Sequence, residues 1–137
     1  MDLSDISIIE TGGMKGRREE LTKSELYGLL NKYFKPKDIY SEYGMTEMFS
    51  QAYAKKAGQF FCPPTLDVQI RELNDPFRIL NNGRLGAINI YDLANFESLS
   101  FIATDDIGRK YSDDSFQVLG RMDDSDLRGC NLLVDEL

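Results

Sequence analysis

The stretch that decides the fold covers residues 22–43 and reads TKSELYGLLNKYFKPKDIYSEY. Thr22 and Glu25 have the spacing of a capping box, in which a hydroxyl and a carboxylate satisfy free amides at the start of a helix. Leucine and aromatic side chains then recur on one helical face until Pro36, which cannot continue the pattern. The segment predicts a helix that ends before Pro36, followed by a short strand at residues 39–42.

On the N-terminal side of this stretch, an apolar run at residues 6–9 leads into a loop that contains Gly12 and Gly13. This pattern predicts a buried strand that ends in a glycine loop. Strand, helix and strand in this order form an α/β unit with parallel strands. We assign residues 1–62 to this α/β lobe and expect residues 48–57 to be weakly helical.

On the C-terminal side, Pro63 and Pro64 mark a boundary after which the pattern changes to alternating apolar and polar residues. Asn82 and Gly83 lie between two apolar runs and predict a hairpin turn. Strands are expected at 66–71, 87–93, 99–103 and 116–119. Residues 63–137 thus form an antiparallel β lobe, and the fold class is mixed α/β, a strand-helix-strand unit followed by a small antiparallel sheet or barrel.

The composition indicates a globular protein and argues against two classes of partner. With 137 residues, 42% of them apolar, the chain can form one domain or two small lobes. The net charge of -7 disfavours a nucleic-acid or anionic-membrane surface, because such surfaces need clustered Lys and Arg. No stretch approaches the roughly twenty apolar residues of a membrane span, and the acidic start does not resemble a signal peptide. We therefore expect a cytoplasmic protein with no nucleic-acid partner.

Histidine is absent from the sequence, which excludes Ser-His-Asp and Cys-His nucleophilic sites and His-ligated zinc. Cys62 and Cys130 are too few for a disulfide framework, and neither belongs to a C-x-x-C pair. Both cysteines are expected to be buried spectators. Any chemistry must depend on carboxylates, hydroxyls, backbone amides and Arg or Lys.

Three loops contain residues suited to a nucleotide, and each has a simpler structural interpretation. Gly12 and Gly13 would let a flat ligand approach the backbone, but they match neither the phosphate-loop nor the dinucleotide spacing, so a tight turn is the alternative. Residues 43–47 offer a ring for a base, a hydroxyl for a phosphate and a carboxylate for Mg²⁺. The alternative there is a strand-to-helix corner with Thr46 as N-cap.

The third loop region combines residues 104–106 with residues 120–124. Carboxylates suit the paired hydroxyls of a ribose, and a nearby arginine can bridge hydroxyl and phosphate. Aspartate-rich corners are also ordinary β-turns, which is the alternative for either segment.

Taken together and in order, the motifs resemble those of the acyl-adenylating superfamily, which includes acyl-CoA synthetases, peptide-synthetase adenylation domains and firefly luciferase. Residues 43–47, Tyr-Gly-Met-Thr-Glu, resemble its Y-G-x-T-E motif. Residues 104–106 resemble its T-G-D motif with Asp105 in place of the glycine, and residues 120–124 resemble its G-R-x-D-D hinge motif. Through residues 11–18 and 49–53 the chain is most similar to the acyl-protein synthetase, or LuxE-type, family.

The resemblance implies ATP and Mg²⁺ as cofactors and a set of roles for the matching residues. Thr46 and Glu47 would be the catalytic residues, with Thr46 on the α-phosphate and Glu47 on Mg²⁺. The implied nucleotide-binding residues are Gly12 and Gly13 at the adenine and acyl pocket, Tyr43 against the adenine, Gly44 and Thr46 in the motif loop, and Asp106 with Arg121 at the ribose. The implied substrate is a fatty carboxylic acid, activated as acyl-AMP and passed to a protein thiol or to CoA.

The resemblance also implies two parts that the sequence does not contain, a phosphate loop upstream and a C-terminal segment with a lysine that reaches the carboxylate. We expect the chain to be a piece of a protein of about 350 residues, with feeble ATP binding and no turnover on its own. Two alternatives stay open, a CoA ligase of the phenylacetate type and a non-catalytic module for nucleotide sensing or assembly.

Overall fold

The predicted strand-helix-strand unit is present in the computed structural model, which describes residues 3–11, 23–56 and 58–122. Strand β1 (Ser7–Thr11) lies parallel to β2 (Asp38–Tyr43), and helix α1 (Lys23–Phe34) lies between them in the chain. The helix ends where expected, because Lys35 takes a left-handed conformation with φ of 47° directly before Pro36. Thr22, which the sequence predicts to cap the helix, lies outside the described residues.

The other strands pair antiparallel and extend the same sheet. They are β3 (Ala52–Lys56), β4 (Gln59–Phe61), β5 (Leu66–Arg71), β6 (Gly86–Asp92), β7 (Phe101–Lys110) and β8 (Phe116–Arg121). The order of the eight strands across the sheet is β1-β2-β3-β4-β8-β7-β6-β5. The mixed α/β class is therefore confirmed.

The weakly helical stretch expected at residues 48–57 is wrong, because β3 occupies residues 52–56. Ala52 and Ala54 are fully buried while Tyr53 and Lys55 are exposed, and this alternation with a period of two is that of a strand. Alanine is the best helix former, so its intrinsic preference pointed the wrong way. Burial in the sheet overrides it.

The turn predicted at Asn82 and Gly83 is present, but it does not join two laddered strands. Gly83 has φ of 82°, and the amide of Arg84 donates to the carbonyl of Asn81 at 3.2 Å. The apolar run before the turn folds back on β5 through a single bridge between Ile79 and Arg71. The turn is therefore part of a longer connection between β5 and β6.

The core lies where the two halves of the sheet meet. Phe60 of β4 pairs with Phe116 of β8 in the register, and their rings stack at 5.5 Å between centroids. Val68, Ile88 and Ile90 continue the core on the neighbouring strands, with at most 1% of each exposed. The division of the chain at residues 62 and 63 falls between β4 and β5 and stays a prediction.

Two glycines lie very close to the backbone of a neighbouring strand, Gly86 of β6 to β5 and Gly108 of β7 to β8. Gly86 and Gly108 are register partners. A Cβ atom on Gly86 would lie 2.2 Å from the carbonyl oxygen of Arg71, and one on Gly108 would lie 2.2 Å from that of Gln117. Any other residue would force the strands apart at these positions.

Candidate functional site

An open cleft of about 910 Å³ lies beside the C-terminal ends of β2 and β8 and the first half of β7. Polar side chains from these strands meet the loop that follows β2, so that carboxylates, hydroxyls and one arginine share a single surface. The cleft is lined by Thr11, Glu42, Tyr43, Gly44, Met45, Thr46, Glu47, Gln51, Ile102, Ala103, Thr104, Asp105, Asp106, Val118 and Arg121.

The structure brings together every described residue that the sequence singled out for a nucleotide. Tyr43, Gly44, Thr46, Glu47, Asp106 and Arg121 all line this one cleft, although up to 78 positions separate them in the chain. Gly12 and Gly13 lie outside the described residues, and Thr11 directly before them is part of the lining. Their roles toward a ligand stay predictions.

Tyr43 is held from two sides. Its ring contacts Phe60 and Phe116 with centroid distances of 5.9 and 5.5 Å, and its hydroxyl donates to Oδ2 of Asp106 at 2.7 Å. Burial, reinforced by the hydrogen bond to the Asp106 carboxylate, raises the pKa of Tyr43 far above its ordinary value. The phenol therefore stays protonated and remains a donor to Asp106.

Asp106 and Arg121 face each other across β7 and β8 as register partners. The guanidinium of Arg121 pairs with Oδ2 of Asp105 at 3.8 Å, and both side chains are well exposed. Thr104 is instead a structural residue, because its buried hydroxyl donates to the carbonyl of Ile88 at 2.8 Å and accepts from the amide of Asp106 at 3.1 Å. Asp105 and Arg121 thus offer exposed charges, whereas Asp106 is held in place.

The loop that carries Thr46 and Glu47 is fixed by two residues that sequence reasoning missed, Asp92 and Asn95. Asp92 accepts hydrogen bonds from the amides of Phe49 and Ser50 at 2.7 and 2.9 Å and from the Ser50 hydroxyl at 2.7 Å. The side-chain amide of Asn95 donates to the carbonyl of Glu47 at 2.7 Å. No local sequence pattern predicts these contacts, because Asp92 and Asn95 act on the backbone of a loop that is distant in the chain.

The burial of Asp92 opposes its ionisation. Hydrogen bonds from Ser50, Phe49 and Ala94 outweigh that effect and lower the pKa of Asp92 below its ordinary value. The carboxylate is therefore ionised at neutral pH and carries its charge inside the fold.

Glu47 is exposed at the cleft, next to the exposed Thr46. Within residues 3–11, 23–56 and 58–122, no three acidic or cysteine side chains converge on one point. Mg²⁺ in nucleotide sites is commonly bound by one or two carboxylates together with substrate phosphates and water. The exposed carboxylate of Glu47 beside the cleft fits that mode of binding.

Cys62 is only half-buried, whereas the sequence predicted a buried residue, and this burial raises its pKa to about 11. Its thiol is therefore protonated near neutral pH. Cys130 lies outside the described residues. Among the helices of the described segments, none has the length and apolar character needed to cross a lipid bilayer.

Comparison with known proteins gives a likeness of fold. No protein-family model and no curated protein matches the sequence. Apo MatB from Rhodopseudomonas palustris is similar with a TM-score of 0.63 and 16% identity over 85% of this chain and 26% of that chain. The luciferase-like enzyme of the mealworm Zophobas morio has a TM-score of 0.61 and 15% identity over 85% of this chain and 32% of that one.

A third similar structure is o-succinylbenzoate CoA synthetase (MenE) from Bacillus subtilis in complex with its acyl-adenylate intermediate, OSB-AMP. Its TM-score is 0.60 and its identity 20%, over 85% of this chain and 33% of that chain. This chain shares the fold of the matching part of these three structures. It spans about a quarter to a third of the length of the structures it matches.

Proposed function

We propose that this chain provides the adenine, ribose and metal side of an ATP-dependent ligase that activates a carboxylic acid as an acyl-adenylate. The observation that carries the proposal is the cleft itself. An aromatic ring, a hydroxyl, an exposed carboxylate and an Asp/Arg pair from distant parts of the sequence line one surface. The shared fold with adenylate-forming ligases supports the same interpretation.

The proposed roles follow the chemistry of each side chain. The ring of Tyr43 would contact the adenine, and Asp106, oriented by the Tyr43 hydroxyl, would accept hydrogen bonds from the ribose. Arg121 is exposed enough to reach a ribose hydroxyl or a phosphate oxygen. Thr46 would donate to the α-phosphate, and Glu47 would hold Mg²⁺.

Adenylate formation needs these groups to position and to neutralise charge, with little acid-base work. An oxygen of the substrate carboxylate attacks the α-phosphorus of ATP, pyrophosphate leaves, and acyl-AMP forms. A thiolate then attacks the acyl carbon, AMP leaves, and a thioester forms. Mg²⁺, when bound, neutralises phosphate charge. Because the reaction needs little acid-base work, the absence of histidine is no obstacle.

For the full reaction we propose the LuxE-type assignment, in which a fatty acid is activated and transferred to a protein thiol. The motifs at residues 11–18 and 43–53 support it. A CoA ligase is the second candidate, because the similar MenE structure is a CoA synthetase with a bound acyl-adenylate. The two are separated by offering CoA or a protein thiol to the full-length enzyme after it has formed acyl-AMP, and by identifying the thioester product.

The nucleotide site is tested by titrating the chain with AMP and with MgATP while following backbone amides by NMR. We expect shifts in residues 43–47 and 104–106, with loss of AMP binding in Asp106→Ala and loss of Mg²⁺-dependent ATP binding in Glu47→Gln. Glu97→Gln is the charge-matched control, since Glu97 is exposed and does not line the cleft. Chemical-shift changes confined to residues outside the cleft would contradict the proposal.

A further inference from the structure

Buried polar groups at the end of β6 and in the connection to β7 contact the loop of residues 44–51, which follows β2. Asp92 has no exposed surface and Asn95 has 1%. Asp92 binds the amides of Phe49 and Ser50, and Asn95 binds the carbonyl of Glu47. Both residues therefore act on the backbone that immediately follows Thr46.

The hydrogen bonds of Asn95 are directional and nearly complete. Its Nδ2 donates to the carbonyls of Glu47 at 2.7 Å and Leu99 at 3.0 Å, and its Oδ1 accepts from the hydroxyl of Ser98. The side-chain amide of Asn95 is thus fixed by Ser98 and Leu99 while it donates a hydrogen bond to Glu47. A buried amide with satisfied partners keeps one orientation.

The other end of the loop is held in the same way. The Asp92 carboxylate accepts hydrogen bonds from the amides of residues 49 and 50 and from the hydroxyl of Ser50. That hydroxyl is also hydrogen-bonded to Thr65 at 2.8 Å. Met48, between the two anchored points, is 6% exposed and packs in the core. The backbone from Glu47 to Ser50 is therefore fixed at both ends and in the middle, whereas the side chain of Glu47 is free to project into the cleft.

We infer that Asn95 and Asp92 are positioning residues that set the place of the Glu47 carboxylate, and through it the Mg²⁺ dependence of ATP binding. The inference rests on the proposed function. A metal ligand needs a fixed backbone because a glutamate side chain has several rotatable bonds, and groups that hydrogen-bond to the ligand residue commonly supply that constraint. Neither residue lines the adenine and ribose part of the cleft, so their effect should be confined to the metal.

The test compares two affinities of the 137-residue chain, for AMP without metal and for ATP with and without Mg²⁺, measured by NMR titration. The ratio of ATP dissociation constants without and with Mg²⁺ reports the metal contact. Asn95→Asp replaces the Nδ2 donor by an acceptor oxygen, which would face the carbonyl oxygens of Glu47 and Leu99 and could not hydrogen-bond to them. We expect the ratio to fall at least threefold while the AMP affinity changes less than twofold.

Two further variants make the result decisive. Ser50→Ala removes the hydroxyl that bonds Asp92 and Thr65 and leaves Asn95 intact. It should therefore lower the ratio by a smaller factor, and it decides the matter if Asn95→Asp does not fold. Ile90→Val weakens the core of β6 without touching the loop and should leave the ratio unchanged. The variants are compared with the unaltered chain at the same temperature.

Each other outcome overturns the inference in a distinguishable way. If AMP does not bind the unaltered chain, the proposed function fails and the inference falls with it. If AMP binds but the Mg²⁺ ratio is unchanged in Asn95→Asp, or in Ser50→Ala where that variant decides, only the inference fails. An equal loss of AMP and ATP affinity would show that the two residues merely stabilise the fold.

Discussion

The two sides of the cleft are built by different means. On one side, Tyr43 and Asp106 belong to strands, and an aromatic cluster with Phe60 and Phe116 supports them. On the other side, Thr46 and Glu47 lie in a loop whose backbone is held by buried polar side chains. The strand side depends on packing and the loop side on hydrogen bonds, so the two should respond to different substitutions and to different solution conditions.

The largest effect is expected where packing supports the strand side. Phe116 is fully buried between Tyr43 and Phe60. Phe116→Ala should lower the free energy of unfolding by about 3–5 kcal/mol, because it removes a large side chain and leaves a cavity. Urea denaturation measures the change.

Phe77→Ala is the matched control for that substitution, since 93% of Phe77 is exposed. It should change the free energy of unfolding by less than about 0.5 kcal/mol. Equal losses in the two variants would contradict the importance of the aromatic cluster.

On the loop side, Asp92→Asn should lower the free energy of unfolding at neutral pH by about 2–3 kcal/mol, because an amide cannot accept from all the donors around Asp92. Amide hydrogen exchange at Phe49 and Ser50 should become faster. Exchange at Ile88, in the core of β6, should change only with global stability.

The loss of unfolding free energy in Asp92→Asn should be smaller in acid than at neutral pH. The pKa of Asp92 is lower in the folded than in the unfolded chain, so its contribution is complete above the ordinary aspartate pKa of about 3.9 and is lost as pH falls through the lower folded value. The difference between the unaltered chain and Asp92→Asn should therefore shrink in acid. Urea denaturation at pH 7 and in acid measures it, and a difference that grows in acid would contradict the assignment.

A smaller effect is expected from the single hydrogen bond that joins Tyr43 to Asp106. Tyr43→Phe keeps the ring contacts and removes the bond, so the free energy of unfolding should fall by about 1 kcal/mol. The ring should still contact adenine, and AMP binding should persist in this variant and be lost in Tyr43→Ala. NMR titration with AMP separates the two contributions of the side chain.

The smallest effect on stability is expected at the rim of the cleft. Arg121 pairs with Asp105 at 3.8 Å in an exposed position, and such pairs contribute little. Arg121→Ala should leave the unfolding transition almost unchanged while AMP affinity falls. A parallel loss of stability would show that Arg121 is structural.

The same contrast explains how much the sequence could predict. The motif order predicts that Tyr43, Glu47, Asp106 and Arg121 lie together, and they line one cleft. Their roles toward a nucleotide stay predictions. The helix could be predicted because its apolar period and terminating proline agree. Asp92 and Asn95 were missed because they act through backbone groups of a distant loop, and no local pattern indicates such a contact. Strand β3 was missed because its two buried alanines favour a helix locally.

The close approach at Gly86 and Gly108 has a consequence for mutational scanning. Neither glycine lines the cleft, yet a single methyl group at either position would collide with a neighbouring backbone oxygen. In a library of single substitutions, both positions should tolerate almost no replacement and should lose soluble expression and ligand binding together. Intolerance there would report the spacing between strands, and it should not be taken as a sign of chemistry.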